Sequence, residues 1–348
     1  MQVIEPLVHF NINKLLALLF LFTSVQTYSQ VYPDKAVHKI LKTGIKLIVD
    51  QKYDEAEKIF NQLDQSRKDL PLGKIYLAAN KIAESFDYQE PFNDDLITKY
   101  LDDAKKVSER LLKTDVENIW YNYFFALTEG YIAYYDALKE NWLSAFSTGL
   151  SSVSSFEHCL ELDKNFYESL IAIGSYKFWR SKKTEFINWL PFIPDEKELG
   201  IEYLKKAIKQ SGYNSHLAVH SLIWIYIEQE EYSDAIKIAE AALNSNPQSR
   251  IFKLGLARAY ENVNPEKSIN LYDEVLNSYP KELKSNRINE VTLKHLMAQQ
   301  YAKIGKQKEA LNLCDQILGI KDYNSYELNK LSKRLERVRE LKSSLVLK

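Results

Sequence analysis

The stretch from His216 to Ser249, HLAVHSLIWIYIEQEEYSDAIKIAEAALNSNPQS, sets the pattern for the rest of this chain. Each half carries apolar residues at the spacing of an amphipathic helix, and a short polar segment separates the two halves. In the second half, Ala235, Ala239 and Ala242 share one side, where a methyl group lets a neighbouring helix approach closely. Pro247 closes the unit. The stretch therefore predicts two short helices joined by a tight turn.

The 34-residue length of this unit and its helix-turn-helix pattern resemble the tetratricopeptide repeat (TPR). The clearest copies of the pattern are residues 37–70, 216–249, 250–282 and 291–324. Residues 72–212 keep the helix lengths but have longer loops, so they are predicted to be divergent helix pairs. The resemblance implies an all-α fold, a TPR-like α-α superhelix in which helix pairs stack into a right-handed helical solenoid.

The C-terminal residues 325–348 are predicted to form a polar capping helix, which a solenoid needs at its end. From Lys321 onward the chain has eight basic and four acidic residues. A solvated cap and a docking site both explain this excess of positive charge. The segments GSYKFWRS and NWLPF also resemble parts of uncharacterised exported bacterial TPR proteins, but that likeness implies no activity.

The composition fits a helical array. Only 10 glycines and 9 prolines occur in 348 residues, which disfavours a sheet-rich fold with many tight turns. The 46 basic and 47 acidic side chains give a net charge of −1, so no overall field attracts the chain to nucleic acid or to anionic lipid. We therefore expect no nucleic-acid partner.

An apolar run, Leu15–Phe22 (LLALLFLF), lies near the amino terminus. Its eight residues are too few to cross a bilayer, which takes about 20. Thr27 and Ser29 are small residues placed three and one positions before the expected cut of a signal peptide. An amphipathic first helix is the alternative, but the run contains no polar residue. We predict a signal peptide over residues 1–29 and a single helical array over 30–348.

The predicted location follows from this signal. No cysteine stands just after the apolar run to carry a lipid anchor, so we predict an exported protein, periplasmic or secreted, whose mature chain has no transmembrane segment. The two cysteines, Cys159 and Cys314, lie on apolar helix faces far apart in the sequence. Because distant repeats of a linear array do not touch, we expect two buried thiols and no disulfide.

Aromatic residues are concentrated between Glu117 and Trp142, with nine of them in 26 residues. They fall on two neighbouring helical stripes, which leaves only a narrow polar stripe. A helix that is apolar around most of its circumference is packed on several sides. We therefore predict that this helix is central to the array.

An insertion near residues 181–197 interrupts the repeat pattern. It is too long for a repeat turn, and it places Trp189 and Phe192 among prolines and charges. Two roles remain open for it, a lid over a binding groove and a structural plug. In the helix before it, Gly174 stands where close packing favours a residue without a side chain.

No catalytic or cofactor-binding motif occurs in the sequence. His216 and His220 are four residues apart on one helix face, but a zinc peptidase helix would read HExxH and no third ligand is evident. There is no glycine-rich phosphate loop, no GxSxG and no CxxC. We therefore predict a non-enzymatic protein without a metal ion or cofactor.

The TPR resemblance implies a protein-interaction scaffold of the bacterial cell envelope, which binds a peptide or protein partner on its concave face. The alternative is an envelope receptor that binds a small molecule or glycan in an aromatic groove. The candidate contact residues combine large contact area with a polar or cationic tip. They are Tyr121, Tyr135, Tyr176, Trp179, Arg180, Trp189 and Phe192. A role in the core, with the insertion folded over the groove, is the competing interpretation.

Overall fold

The computed structural model describes residues 30–185, 194–280 and 287–347, and within these ranges it contains fifteen α-helices and no β-strand. The helices are α1 Lys35–Val49, α2 Tyr53–Ser66, α3 Leu72–Tyr88, α4 Asp94–Thr114, α5 Ile119–Leu138, α6 Trp142–Leu162, α7 Ser169–Lys183, α8 Lys197–Gln210, α9 Ser215–Glu228, α10 Tyr232–Ser245, α11 Arg250–Tyr260, α12 Pro265–Asn277, α13 Arg287–Lys303, α14 Gln307–Gly319 and α15 Ser325–Val346. In this described part of the chain, no helix has the length and apolar character needed to cross a bilayer. The predicted signal peptide lies outside the described residues.

The helices stack in chain order, so that each one packs against the next. The odd-numbered helices also pack on their second neighbours: α1 on α3, α3 on α5, α7 on α9, α9 on α11, and α13 on α15. In a curved stack, helices on the inner side lie closer together than helices on the outer side, so the odd-numbered helices line the inner side. This arrangement is a TPR-like α-α superhelix.

Short polar side chains begin several of the helices. The carboxylate of Asp34 accepts hydrogen bonds from the first amides of α1, and the amide oxygen of Asn118 accepts from those of α5. Asn264 caps α12 directly before the proline at its first position. Asn324 and Glu327 form a reciprocal capping box at the start of α15. These caps satisfy backbone donors that the helices themselves leave unpaired.

A similar tight turn recurs in every second helix pair. The turns α1–α2, α5–α6, α9–α10 and α13–α14 each contain one residue with a positive φ: Gln51 at 56°, Glu140 at 64°, Glu230 at 61° and Gly305 at 78°. Only glycine adopts this left-handed region without a steric penalty. The repeat geometry is therefore imposed on three positions whose residue types do not favour it.

The aromatic helix α5 is packed on several sides, which confirms the prediction from its sequence. It contacts α3, α4 and α6, and the rings of Tyr123 and Phe124 are fully buried. The ring of Trp120 lies edge-on to those of Tyr32 and Phe166, with 5.3 Å between the ring centroids in each case. Such edge-to-face contacts add stability beyond the buried area.

Helices α7 and α8 cross at a pair of glycines. A Cβ atom on Gly174 would lie 2.8 Å from the carbonyl oxygen of Gly200, and a Cβ on Gly200 would lie 2.6 Å from the carbonyl oxygen of Gly174. Both distances are below van der Waals contact. The two backbones therefore meet directly, as the sequence position of Gly174 suggested, and the glycine that it meets is on the returning helix.

The two cysteine thiols are free and buried, as predicted. Burial raises the pKa of the Cys159 thiol to about 12. The premise behind that prediction is nevertheless wrong, because distant parts of the array do touch. The backbone amide of Tyr32 donates to the hydroxyl of Tyr213 at 2.8 Å, and Lys42 Nζ donates to the carbonyl of Gly212 at 3.1 Å. The stack therefore curves until its beginning meets its later repeats.

Candidate interaction surface

The inner side of the array was expected to form an open groove for a peptide. Part of it is instead filled by the chain itself. Val49 at the end of α1 packs in one apolar cluster with Ile223 of α9 and Phe252 of α11. The side-chain oxygen of Gln51 accepts a hydrogen bond from the backbone amide of Arg250 at 3.1 Å. The expectation of an open concave face is thus corrected where α1 lies against α9 and α11.

A buried ion pair also joins the first helices to the later repeats. Arg250, the first residue of α11, donates from Nε to Asp87 Oδ1 of α3 at 2.9 Å and from Nη2 to Asp87 Oδ2. The side chains of Arg250 and Asp87 are only 7% and 12% exposed. The guanidinium also lies over the rings of Tyr279 and Tyr88, 4.6 and 5.6 Å from their centroids. Asn289 of α13 donates to the backbone carbonyl of Asp87 at 2.8 Å, so three odd-numbered helices meet at this point.

A second buried polar cluster joins α3, α5 and the segments before α7 and α9. Glu168 accepts from the backbone amides of Tyr213 and Asn214 at 2.5 and 3.3 Å. The side-chain amide of Asn214 donates to the hydroxyls of Tyr123 and Tyr76 at 2.9 and 3.2 Å. Burial raises the pKa of the Glu168 carboxyl, although its hydrogen bonds from Tyr213 and Asn214 act in the opposite direction. The cluster lies in the interior, so it holds repeats together and offers no surface to a ligand.

The two predicted contact residues on α5 lie in different surroundings. Tyr121 is half-buried and packs against the central apolar cluster, with its ring centroid 6.5 Å from that of Phe124. Tyr135 is only 4% exposed. Its hydroxyl donates to the carboxylate of Asp94, and its ring lies edge-on to Phe92 at 5.5 Å. In this arrangement Tyr135 ties the start of α4 to α5.

The three predicted residues on α7 are close together. The guanidinium of Arg180 lies 5.4 Å from the ring centroid of Tyr176 and forms an ion pair with Glu196, directly before α8. Trp179 is half-buried, with its ring edge-on to Phe178 at 5.2 Å. The structure therefore groups Tyr176 and Arg180 at the base of the insertion. Trp189 and Phe192, within the insertion, lie outside the described residues.

An exposed apolar surface, which we call the α5–α6 patch, lies near the tip of the α5–α6 hairpin. It consists of Tyr134, Trp142, Leu143, Phe146 and Leu150. Trp142, Leu143 and Phe146 are 64%, 91% and 67% exposed. The four residues on α6 fall within an arc of about 100° around the helix axis. Large apolar side chains side by side in solvent are unusual on a monomer and typically mark an interaction site.

The sequence pattern does not single out this patch, because two of its aromatic residues belong to the enrichment that predicts a central helix. Tyr134 and Trp142 belong to the same enrichment as Tyr123 and Phe124, which are buried. One signal could have separated them: no charged residue occurs from Trp142 to Phe156. A solvent-facing helix normally carries charges on its outer side. Their absence from the exposed start of α6 is consistent with a surface that a partner covers.

Comparison with known proteins finds only distant structural neighbours. No protein-family model matches the sequence, and no curated protein matches it. Among solved structures, PilW, described as a widely conserved type IV pilus biogenesis factor, is 16% identical with a TM-score of 0.45, over 74% of this chain and 96% of that one. The C-terminal part of a TPR repeat-containing protein from Cytophaga hutchinsonii is 17% identical with a TM-score of 0.41, over 84% and 99%.

Human IFIT1 in complex with m7Gppp-AAAA is also similar, at 11% identity with a TM-score of 0.43, over 93% of this chain and 84% of that one. Of these three neighbours, the protein from Cytophaga hutchinsonii is described as TPR repeat-containing. At such identities and scores, what they bind or assemble says nothing about the ligand of this chain.

Proposed function

We propose that this protein is a non-catalytic protein-interaction scaffold of the bacterial cell envelope, and that it docks its partner on the α5–α6 patch. The observation that carries the proposal is the exposure of Trp142, Leu143 and Phe146 on a helix stretch without charge. Aromatic residues in an uncharged surface are the usual composition of the centre of a protein interface. This location replaces the inner groove, part of which the chain itself occupies.

The chemistry of the patch favours an apolar helix of a partner protein as the occupant. Serine, threonine, glycine and alanine fill the positions of α6 between the large side chains from Trp142 to Leu150, so the surface has ridges and shallow gaps of helical spacing. An amphipathic helix fits such a surface through its own apolar stripe. The same stretch has no Lys or Arg, which a surface that binds anionic lipid would use.

Location in the envelope rests on the amino-terminal sequence. The apolar run Leu15–Phe22 and the small residues Thr27 and Ser29 support export, although they lie outside the described residues. Recovery of the chain from a periplasmic or culture fraction, with its amino terminus near Gln30, would check this part of the proposal. A chain found only in the cytosol, with its first residues intact, would contradict it.

A glycan receptor is the weaker candidate on this structure. Several rings of the aromatic-rich region pack on one another: Trp120, Tyr123 and Phe166 form edge-to-face pairs. Stacking on a sugar needs a free ring face. We therefore propose a protein as the partner. The insertion residues Trp189 and Phe192 remain a second predicted contact region.

The patch is tested by site-specific crosslinking. A photoreactive benzoylphenylalanine replaces Phe146 in the full chain, and a control chain carries it at Leu328, an exposed apolar position on α15. Cells are irradiated and the crosslinked peptides are identified by mass spectrometry. We expect one protein, joined through an amphipathic helix, from position 146 and not from position 328.

A titration then measures how much the α5–α6 patch contributes to the affinity for the partner. Purified parent chain and the double variant Trp142→Ser, Phe146→Ser are titrated with the crosslinked partner. Because both side chains are exposed, the variant should fold normally and bind at least about tenfold more weakly. A third chain, Trp189→Ala with Phe192→Ala, tests the insertion in the same assay. Crosslinking to lipid or to a second copy alone, or unchanged affinity of the Trp142 and Phe146 variant, would overturn the docking site.

A further inference from the structure

Three cationic or titratable side chains occupy equivalent positions on the last three odd-numbered helices. Arg258 is the ninth residue of α11, His295 is the ninth of α13, and Arg334 is the tenth of α15. Arg337 follows one turn after Arg334 on α15. The positive charges of Arg337 and Arg258 both disfavour the charged form of Arg334. We call these four residues the C-terminal basic cluster.

The carboxylate that pairs with Arg258 has a second partner. Glu261 accepts from Arg258 Nη1 at 2.6 Å and from the hydroxyl of Tyr272 at 2.7 Å. Within residues 30–185, 194–280 and 287–347, neither Arg334 nor Arg337 forms an ion pair with a carboxylate. Burial, together with the charges of Arg337 and Arg258, holds the pKa of Arg334 below its usual range. Arg334 is thus a half-buried cation whose charge is not balanced.

His295 supports Arg334 without adding to the charge. It is 1% exposed, and its Nδ1 lies 3.4 Å from Arg334 Nη1. A guanidinium can only donate, so Nδ1 is the acceptor and the ring proton is on Nε2. Burial and the charges of Arg334 and Arg337 lower the pKa of His295 to about 4, so the ring is neutral at pH 7. Its Nε2 has no hydrogen-bond partner among the described residues.

We propose that Arg334 and Arg337, flanked by Arg258 and supported by His295, bind an oxyanion, either a carboxylate or a phosphate group. The planar fork of a guanidinium matches the two oxygens of such a group. A half-buried cation without a counter-charge gains more from an anion than an exposed surface lysine does, because fewer waters compete. The cluster lies on α11, α13 and α15, so this site is independent of the docking site on α5 and α6.

The test uses the full mature chain, isothermal titration calorimetry in a low-salt buffer, and two probes. Inorganic phosphate represents a phosphate ligand, and a hexaglutamate peptide represents peptide carboxylates. The variants are Arg334→Gln and Arg337→Gln. The matched control is Arg339→Gln, which removes an exposed arginine from the same helix. Circular dichroism verifies that each variant is helical, and Arg337→Gln, at an exposed position, keeps the test valid if Arg334→Gln does not fold.

We expect the parent to bind at least one probe, with an affinity that falls as salt is added. Each of the variants at Arg334 and Arg337 should weaken binding by about tenfold, and Arg339→Gln should leave it unchanged. Binding of hexaglutamate alone would support the site with a peptide carboxylate as its ligand. Binding of phosphate alone would support it with a phosphate group. Failure of the parent to bind either probe, or an equal loss in Arg339→Gln, would overturn the proposal.

Discussion

His216 and His220, the only closely spaced histidines in the sequence, are neutral side chains of α9. Burial lowers the pKa of each to about 4, and His220 lowers that of His216 further. The indole Nε1 of Trp224 donates to His220 Nε2 at 2.9 Å, so His220 already has a partner within its own helix. The spacing that resembles a metal site therefore belongs to the packing of a repeat helix.

This burial predicts a pH dependence of stability. Between pH 6.5 and 4 the unfolded chain protonates His220 while the folded chain does not, so the free energy of unfolding should fall as pH decreases through this window. The loss from this residue should be about 1 to 3 kcal/mol. Urea unfolding at pH 7 and at pH 4 measures it. His220→Gln should reduce the difference between the two pH values.

His158→Gln is the matched control, because His158 is exposed beside Glu161. The effect of His220→Gln is compared with that of this variant. If His220→Gln showed the same pH dependence as the parent, the neutral buried state of His220 would be contradicted.

Helix crossings in this array depend on glycine and alanine, the smallest residues. Gly174 and Gly200 let α7 and α8 meet through their backbones, and Ala235 and Ala239 are fully buried on α10. The insertion separates α7 from α8, yet the pair packs closely. A direct backbone contact explains how two helices joined by a long connection still form one pair.

Gly174→Ala is therefore expected to destabilise the protein. Its Cβ would overlap the carbonyl of Gly200 at 2.8 Å, and backbone atoms cannot rotate away as a flexible side chain can. The free energy of unfolding should fall by about 1 to 3 kcal/mol, measured by urea denaturation. Gly319→Ala, where no atom lies within 4 Å of the added carbon, should cause no loss. Equal stability of the two variants would rule out the close crossing.

The whole molecule differs from an ideal linear solenoid because its first helices contact later repeats directly. In a linear array each repeat contacts only its neighbours, so stability is nearly a sum of local terms. Here Arg250 and Asp87, 163 residues apart, form a buried ion pair. Removal of one partner of such a pair leaves the other charge buried without compensation. The coupling should make the first and the later repeats unfold together.

Asp87→Asn tests this coupling. The free energy of unfolding should fall by about 3 to 5 kcal/mol. Hydrogen exchange should show that α1, α3 and α11 lose protection together. The control, Asp103→Asn, removes an exposed pair with Lys106 at 3.4 Å and should change stability by less than about 1 kcal/mol. Loss of protection confined to α3 and α4 would show that the array behaves as a linear one.

Sequence patterns alone predict the helical class, the stacked helix pairs, the central helix rich in aromatics and the two buried thiols. These features follow from apolar spacing and from caps and turns, which depend on residues a few positions apart. The role of Gly174 was readable for the same reason, because a glycine within a periodic helix marks a close approach. Its partner Gly200 on α8 could not be predicted, because no local sequence pattern pairs two residues across an insertion.

Which surfaces remain exposed to solvent depends on the packing of distant helices. Tyr135 is buried against α4 while Trp142 projects into solvent, although both belong to the same aromatic enrichment. The closure of α1 and α3 onto α9 and α11 depends on the curvature of the stack. That curvature is the sum of small rotations between successive repeats, and each rotation is set by how side chains interlock at one interface. No single repeat specifies the total curvature. The filled groove and the exposed patch could therefore not be predicted from the repeat pattern.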